Sequence, residues 1–417
     1  MKFSYSFFFL SLALALGLAP PSAFPAGSKR TWGKELTFTR PNVEAADHGS
    51  EGLWAEAPEN KAALREFYDH AKLKLKGRGD IKSIRYLTEF DRWGIDIIRV
   101  KYASGFFFDV TLDPYCLEVR PQYSTLDVLK EEQKALIRTD IYGLMHDIGM
   151  KPKRDIGGGH LHMGAEVAFG KNVRLARNWL VYQANHFEVA LGAMEYDDDN
   201  ACSFFKMNRS QKEEFARVIQ EVDRGKIKTP RKLFTEFVAR VLFEGKPATG
   251  NLIMEHKYWQ VNVLRMAELD TESTLANPNS SWKNYEAFVL FDSDNVSKKE
   301  RTAEYRYIKA QVSEEELVDD VTLHDGIMDY LEGLTLPLAL SDEFMSNESP
   351  PIPKMVKNFY DMIRDSKSDP AKYLSRLPQK EDGNPDWQIW QTEFKKLLGC
   401  SAVLAGTGKP IRKKRID

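Results

Sequence analysis

Cysteine is scarce in this chain: Cys116, Cys202 and Cys400 are the only three in 417 residues. Their separations match no metal-ligand spacing, and an odd count leaves at least one thiol unpaired, so a disulfide framework does not hold the fold together. Cys202–Cys400 and Cys116–Cys202 both stay open as pairs. An excess of one charge is lacking too. The 59 Lys and Arg nearly cancel the 61 Asp and Glu, and the signs are interspersed, which gives no basis for nucleic acid as a partner. No Gly-Lys-Ser/Thr follows the glycine run, which excludes a P-loop. There is no internal repeat, and beyond the N-terminal stretch no apolar run is long enough to cross a bilayer.

That stretch is distinct. Met1-Lys2 is followed by an apolar run from Phe7 to Leu18 and then by small residues and prolines from Ala19 to Ala26. A basic start, a short apolar run and small residues predict a secretory signal peptide over 1–26. The protein is then exported, periplasmic or secreted, with no stable membrane span after signal removal. The cleavage pattern fits only in part, because neither Ala23 nor Ala26 has the small residue expected upstream. An uncleaved anchor is the other reading.

Hydrophobic periodicity predicts an α+β protein with an antiparallel meander and a helical C-terminal region. A short strand is expected over Lys34–Phe38 and a helix over Ala55–Lys76. Strands over Ile95–Tyr102, Gly105–Leu112 and Tyr115–Gln122, joined by Gly and Asp-Pro turns, read as an antiparallel meander. A helix capped at Ser124 or Thr125 runs to about Asp147, with Gly149 as its stop. Amphipathic helices follow from Val173 to Leu191, Gln211 to Arg224 and Pro230 to Phe243. Strand-like runs are Tyr258–Val263, Tyr285–Phe291 and Thr302–Val312. Ser313 caps a helix to Leu334, with Glu316 three residues on. After Ser349-Pro350-Pro351-Ile352-Pro353 come helices to Leu398 and a basic tail, Lys409–Arg415. The domains expected are 27–335 and a helical extension, 336–417.

The most informative stretch is Gly157-Gly158-Gly159-His160-Leu161-His162-Met163-Gly164. In an extended strand, residues two apart share a face, so the two imidazoles stand side by side. The glycines let backbone or ligand approach closely. Such a face suits a metal, a phosphate or a metal-bound phosphate. Acid-bearing strands accompany it: Glu35, then Asp113 with Glu118, then Glu304 with Arg306 on one strand face. Hard divalent cations prefer oxygen ligands, and a mixed carboxylate–imidazole set also accepts manganese. An arginine on the same face suits a substrate carboxylate.

The order of these motifs resembles the amidoligase family of the glutamine synthetase-like carboxylate–amine ligases. The motifs are Gly33-Lys34-Glu35-Leu36-Thr37, Leu117-Glu118-Val119, Gly157 to His162, and Glu304-Tyr305-Arg306. His256 to Asn262 is similar to the strand that family places before its Glu-x-Arg motif. The likeness covers roughly residues 32 to 335. It implies a glutamine synthetase-like fold, an antiparallel sheet with helices packed on one side, and an ATP- and magnesium-dependent ligase, with Mg2+ or Mn2+ as the metal. Such an enzyme phosphorylates a carboxylate and lets an amine attack the acyl-phosphate. By the same resemblance, Glu35, His160 and Glu304 bind the metal that bridges the ATP phosphates. His162, Gly158 and Gly159 lie near the phosphates, Glu118 belongs to a second metal position, and Arg306 clamps the substrate carboxylate or the acyl-phosphate. The expected partners are small-molecule or peptide carboxylates and amines. The chain departs from the family at Thr37, where a second glutamate is usual, and a hydroxyl is a much poorer metal ligand.

Each residue also has a plainer reading. Two histidines two apart can be ordinary strand residues, Glu304 and Arg306 a cross-strand ion pair, and Asp113-Pro114 a turn. Asp197–Asp199 reads as a solvated loop, and His186 as structural. Two other functions stand beside the ligase. A metal-dependent hydrolase would use the His-x-His pair but needs further histidines, for which only His186 and His256 follow at usable positions. An exported, non-catalytic binder on a degenerate ligase fold is favoured by Thr37 and by secretion, since ATP is scarce outside the cytoplasm.

Overall fold

The computed structural model describes residues 29–45, 57–88, 96–113, 115–154, 156–186, 203–246, 259–267 and 301–398. The expected signal peptide, Asp197–Asp199, Cys202, His256, the Tyr285–Phe291 strand, Cys400 and the basic tail lie outside them. Among the described residues the protein is α+β with two antiparallel sheets, not the one expected. The reason is a break at Glu35. Instead of a single strand over Lys34–Phe38, the chain makes β1 (Trp32–Lys34) and β2 (Leu36–Phe38). These belong to different sheets.

The larger sheet adds β3 (Ile81–Leu87), β4 (Ile97–Tyr102), β5 (Phe107–Asp113) and β6 (Cys116–Pro121), in the order β2-β6-β5-β4-β3. The meander is present. Its turn between β4 and β5 uses Gly105 at φ +98°, a conformation glycine adopts without a Cβ penalty. β3 was missed because it is an edge strand with no fully buried residue, so its apolar alternation is weak. The helix Pro58–Leu75 packs on this sheet through Ala63, Leu64, Phe67 and Ala71.

The smaller sheet is β1-β7-β9-β8, with β7 (Leu161–Gly164), β8 (Val261–Asn262) and β9 (Thr302–Tyr305). Three expected strands are shorter than their sequence patterns. Gly157 to His160 precedes β7 and is not part of it, the strand in Trp259–Val263 is Val261–Asn262 (Tyr258 lies outside the described residues), and β9 ends at Tyr305. Beyond the ends of β7 and β9 the pairing continues only as a single antiparallel bridge, Gly158 with Lys309, flanked by Gly159 N to Ile308 O at 2.8 Å and Ala310 N to Gly157 O at 3.0 Å.

One face of the small sheet is core. Trp32, Met163 and Ala303 form one cross-strand row, and Lys34, Leu161, Tyr305 and Val261 the next. Trp179, from the helix Val173–Asn185, donates to the Tyr305 hydroxyl at 2.8 Å and meets its ring edge-on. Aromatic side chains of this size bury about 150–250 Å², worth roughly 4–6 kcal/mol each at about 25 cal/mol per Å². Lys34 is the polar exception. Its ammonium donates to Gln122 O, Ser124 Oγ and Gln133 Oε1, and burial pushes its pKa down to about 7.

Helix ends follow the local chemistry. Thr125 Oγ1 accepts from Val128 N at 3.4 Å, and Gly149 takes φ +76° at the far end of that helical run. Within the run, Leu129–Gln133 and Ile137–Tyr142 widen into π turns. Ser313 Oγ accepts from Glu316 N at 3.2 Å at the start of the helix Glu314–Gly333. Cys116 is a buried free thiol, so the Cys116–Cys202 pairing is not formed. No helix among the described residues is long and apolar enough to cross a membrane.

Residues after Thr335 share the same core: Phe344, Phe359, Tyr373, Trp390 and Phe394 join the cluster built on the two sheets. Gly326, in Glu314–Gly333, lies against the backbone of Ser366 at the end of the helix Ile352–Asp365. A Cβ there would come within 2.8 Å of the Ser366 carbonyl carbon, whereas one at Gly333 would meet nothing within 4 Å. Overpacking of this kind costs roughly 1–3 kcal/mol, while Gly to Ala in an open helical position gains up to about 1 kcal/mol. Thermal unfolding should therefore show a lowered Tm for Gly326→Ala and an unchanged or raised one for Gly333→Ala. Equal values would mean that the two helices do not pack this closely.

Candidate metal centre

The other face of the small sheet is polar. Register aligns Gly33, His162, Glu304 and Asn262 in one row across β1, β7, β9 and β8. Directly opposed residues in antiparallel strands point to the same face. Glu35 comes two residues after Gly33 and reaches the same place from the break between the sheets. Ligand atoms of Glu35, His162 and Glu304 all lie within 4.8 Å of one another.

Glu35 bridges both histidines. Its Oε1 is 2.8 Å from His162 Nε2, and its Oε2 is 2.8 Å from His160 Nδ1. His160 Nδ1 is also 3.6 Å from Glu304 Oε1. The two-residue spacing thus delivers both rings to one carboxylate, although His160 lies outside β7. Glu304 is held from two further sides: Asn262 Nδ2 donates to its Oε2 at 3.0 Å, and Arg306 forms an ion pair with its Oε1.

These groups are nearly all withdrawn from solvent. Burial alone would raise the Glu35 carboxyl. The charge of His162 and hydrogen bonds from both histidines outweigh it and hold the group well below the usual carboxylate range. Glu304 also faces burial, outweighed by Arg306 and His162, and its pKa falls to about 2. For His160, burial and Arg306 oppose the imidazolium, but the Glu35 hydrogen bond and charge prevail and raise its pKa. Two ionised carboxylates beside imidazole nitrogens form a donor set that fits a divalent cation taking oxygen and nitrogen ligands.

Protein groups occupy the side-chain positions of the glycine turn. A Cβ on Gly157 would lie 2.7 Å from Thr37 Cβ, one on Gly158 2.9 Å from His160 Cδ2, and one on Gly159 2.6 Å from Gln311 Cδ. The turn is glycine because three neighbours pack directly on its backbone. Its carbonyls are used as well: Gly158 O accepts from Thr37 Oγ1 at 3.0 Å, and Gly159 O from Gln311 Nε2 at 2.9 Å. Thr37 is therefore committed to the turn. A glutamate in its place would lose that contact and would need room that Gly157 and Gly158 occupy.

Glu118 stands opposite Thr37 on β6 and outside the mutually close set. It is buried and paired with Arg120. Burial raises its pKa; Arg120 opposes this, the charges of Glu35 and Asp113 add to it, and the result is about 7. Asp113, at the end of β5, has its Oδ2 3.8 Å from Cys116 Sγ. His186 caps the helix Val173–Asn185, with its ring against Tyr182 and away from the centre. Asn262 and Gln311 had no assigned role in the sequence. Only cross-strand register reveals Asn262, and only the loop after β9 brings Gln311 back to the glycines.

No protein-family model, curated protein or solved structure matches the chain.

Because the folded state raises the Glu118 pKa above its ordinary value near 4.5, to about 7, it binds a proton that the unfolded chain has already released. The stability this gives is full below about pH 4.5 and is lost as pH rises through about 7. Glu118→Gln keeps the shape and removes the charge. In chelator-treated protein, the Tm difference between Glu118→Gln and the parent should favour the variant more at pH 8 than at pH 5. A difference that does not change with pH would contradict the raised pKa.

Proposed function

We propose that the protein is an ATP- and magnesium-dependent carboxylate–amine ligase that forms an amide bond, peptide or isopeptide, through an acyl-phosphate. The observation that carries this reading is the convergence of Glu35, His162 and Glu304 on one sheet face, with Arg306 anchored beside them. The order of motifs that resembles the amidoligases supports it independently. Glu35, Glu304 and an imidazole, His162 or His160 through Nδ1, would hold Mg2+ or Mn2+. When bound, the cation supplies charge neutralisation for the phosphates of ATP.

The chain's own residues supply the rest. Arg306 would clamp the substrate carboxylate, and its pairing with Glu304 fixes the direction of approach. Asn262 holds Glu304 in its rotamer by a hydrogen bond of 3.0 Å. The Glu35 bridge fixes both imidazole rings. Burial of His162, Glu304 and Asn262 strengthens their electrostatic interactions with whatever binds beside them.

Thr37 favours a second reading, an exported binder without turnover, because the residue that would complete a second metal position is engaged with Gly158. A zinc-dependent hydrolase has less support: the close set among the described residues has two carboxylates and one imidazole, rich in oxygen.

With magnesium, ATP and a panel of carboxylates and amines, the full chain should release ADP only when both substrates are present. His160→Ala and Glu304→Gln should each lower that rate at least 100-fold, a loss of about 2.7 kcal/mol in transition-state stabilisation. Turnover without ATP by zinc-loaded protein would establish the hydrolase instead. A ligand-induced rise in Tm with no turnover would establish the binder.

A further inference from the structure

The row across the small sheet has a fifth member. Trp32 N donates to Ser124 O at 2.8 Å and Ser124 N to Trp32 O at 3.1 Å, so the segment after β6 pairs with the outer edge of β1. Antiparallel pairing then sets Tyr123 beside Gly33, on the face that carries His162, Glu304 and Asn262. The side chain confirms this placement. A Cβ on Gly33 would stand 2.5 Å from Tyr123 Cζ and 2.9 Å from its hydroxyl oxygen. The ring therefore lies over Gly33, in the space a side chain would need, and leans along the row towards His162. Tyr123 is half-buried, whereas Gly33 beneath it is buried.

Cross-strand neighbours have Cβ atoms about 4.5–5.5 Å apart, which puts the Tyr123 hydroxyl within about 8 Å of His162 Cβ. A neutral phenol is a poor ligand for a hard cation and a good donor to an anionic oxygen. We propose that Tyr123 is a substrate-binding residue: its hydroxyl donates a hydrogen bond to an oxyanion, phosphate or carboxylate, held over the Glu35–His162–Glu304 face. Gly33 is the slot that admits the ring. This inference rests on the metal-centre reading and adds a residue that no motif in the chain marks.

Titration calorimetry on the full chain separates the two ideas. Mn2+ is titrated first, then pyrophosphate or glutarate in the presence of Mn2+, for the parent, Tyr123→Phe and Gly33→Ala. A hydrogen bond to a charged acceptor corresponds to about tenfold or more in affinity. The ratio of oxyanion affinity to Mn2+ affinity should fall about tenfold in Tyr123→Phe, which keeps the ring and its packing. Gly33→Ala should lower the ratio at least as much, because its Cβ displaces the ring. Loss confined to pyrophosphate identifies phosphate as the anion, and loss confined to glutarate identifies carboxylate. An unchanged ratio in Tyr123→Phe for both anions, with Mn2+ still bound, overturns the role of Tyr123 alone. No Mn2+ binding by the parent overturns the metal centre and this inference together.

Discussion

The structure depends on one carboxylate at one chain break. Glu35 is the residue between β1 and β2, where the backbone leaves the small sheet and enters the large one. Its backbone N–H donates to His160 O at 2.9 Å, and its carboxylate oxygens reach His160 and His162 at 2.8 Å each. The same residue thus joins the two sheets and assembles the polar centre. A buried carboxylate without partners would cost several kcal/mol, so the two imidazoles are as necessary to the fold as Glu35 is to them.

A second set of contacts ties the C-terminal region to that centre. Arg376 donates to Asp320 Oδ1 at 2.6 Å, Gln311 Nε2 to Asp320 Oδ2 at 3.1 Å, and the same Nε2 to Gly159 O at 2.9 Å. The glycine turn that positions His160 is therefore braced through Gln311 and Asp320 by a residue well beyond the sheets. The Gln311 amide nitrogen is the link in this chain, since it donates both to Asp320 and to the Gly159 carbonyl. The region after Thr335 packs on the helix that carries Asp320 and on the helices Val173–Asn185 and Arg209–Asp223.

What could be read from the sequence follows the range of the interactions. Glu35, the two histidines and the Glu304–Arg306 pair were legible because each pattern repeats every two residues within one short segment. Four strands of the large sheet were legible or nearly so, but β3 was not, since its edge position leaves it without a buried apolar face. Apolar alternation cannot show that a run of strand residues changes sheets, which is why Glu35 appeared to lie within a single strand. Asn262, Gln311 and Tyr123 were invisible for a related reason. Each reaches the centre or its glycine turn through pairing or loop return across a long sequence separation, and no local pattern encodes that register. The glycines were legible as a place of close approach. What approaches them in the structure is Thr37, His160 and Gln311.

The charge balance of the centre bears on which cation it would select. Glu35 and Glu304 bring two negative charges into a buried space, and Arg306 offsets only one of them through its pairing with Glu304. His160 lies beside both carboxylates, and the hydrogen bond and charge of Glu35 raise its pKa despite burial and despite Arg306. A cation that takes the His160 nitrogen must displace its proton, so its affinity weakens as pH falls. Zinc is most at home where imidazole and thiolate dominate, whereas a set led by two carboxylates suits magnesium or manganese with water completing the shell. The donor chemistry is thus that of a hard-cation site, which is the basis of the proposal made for it.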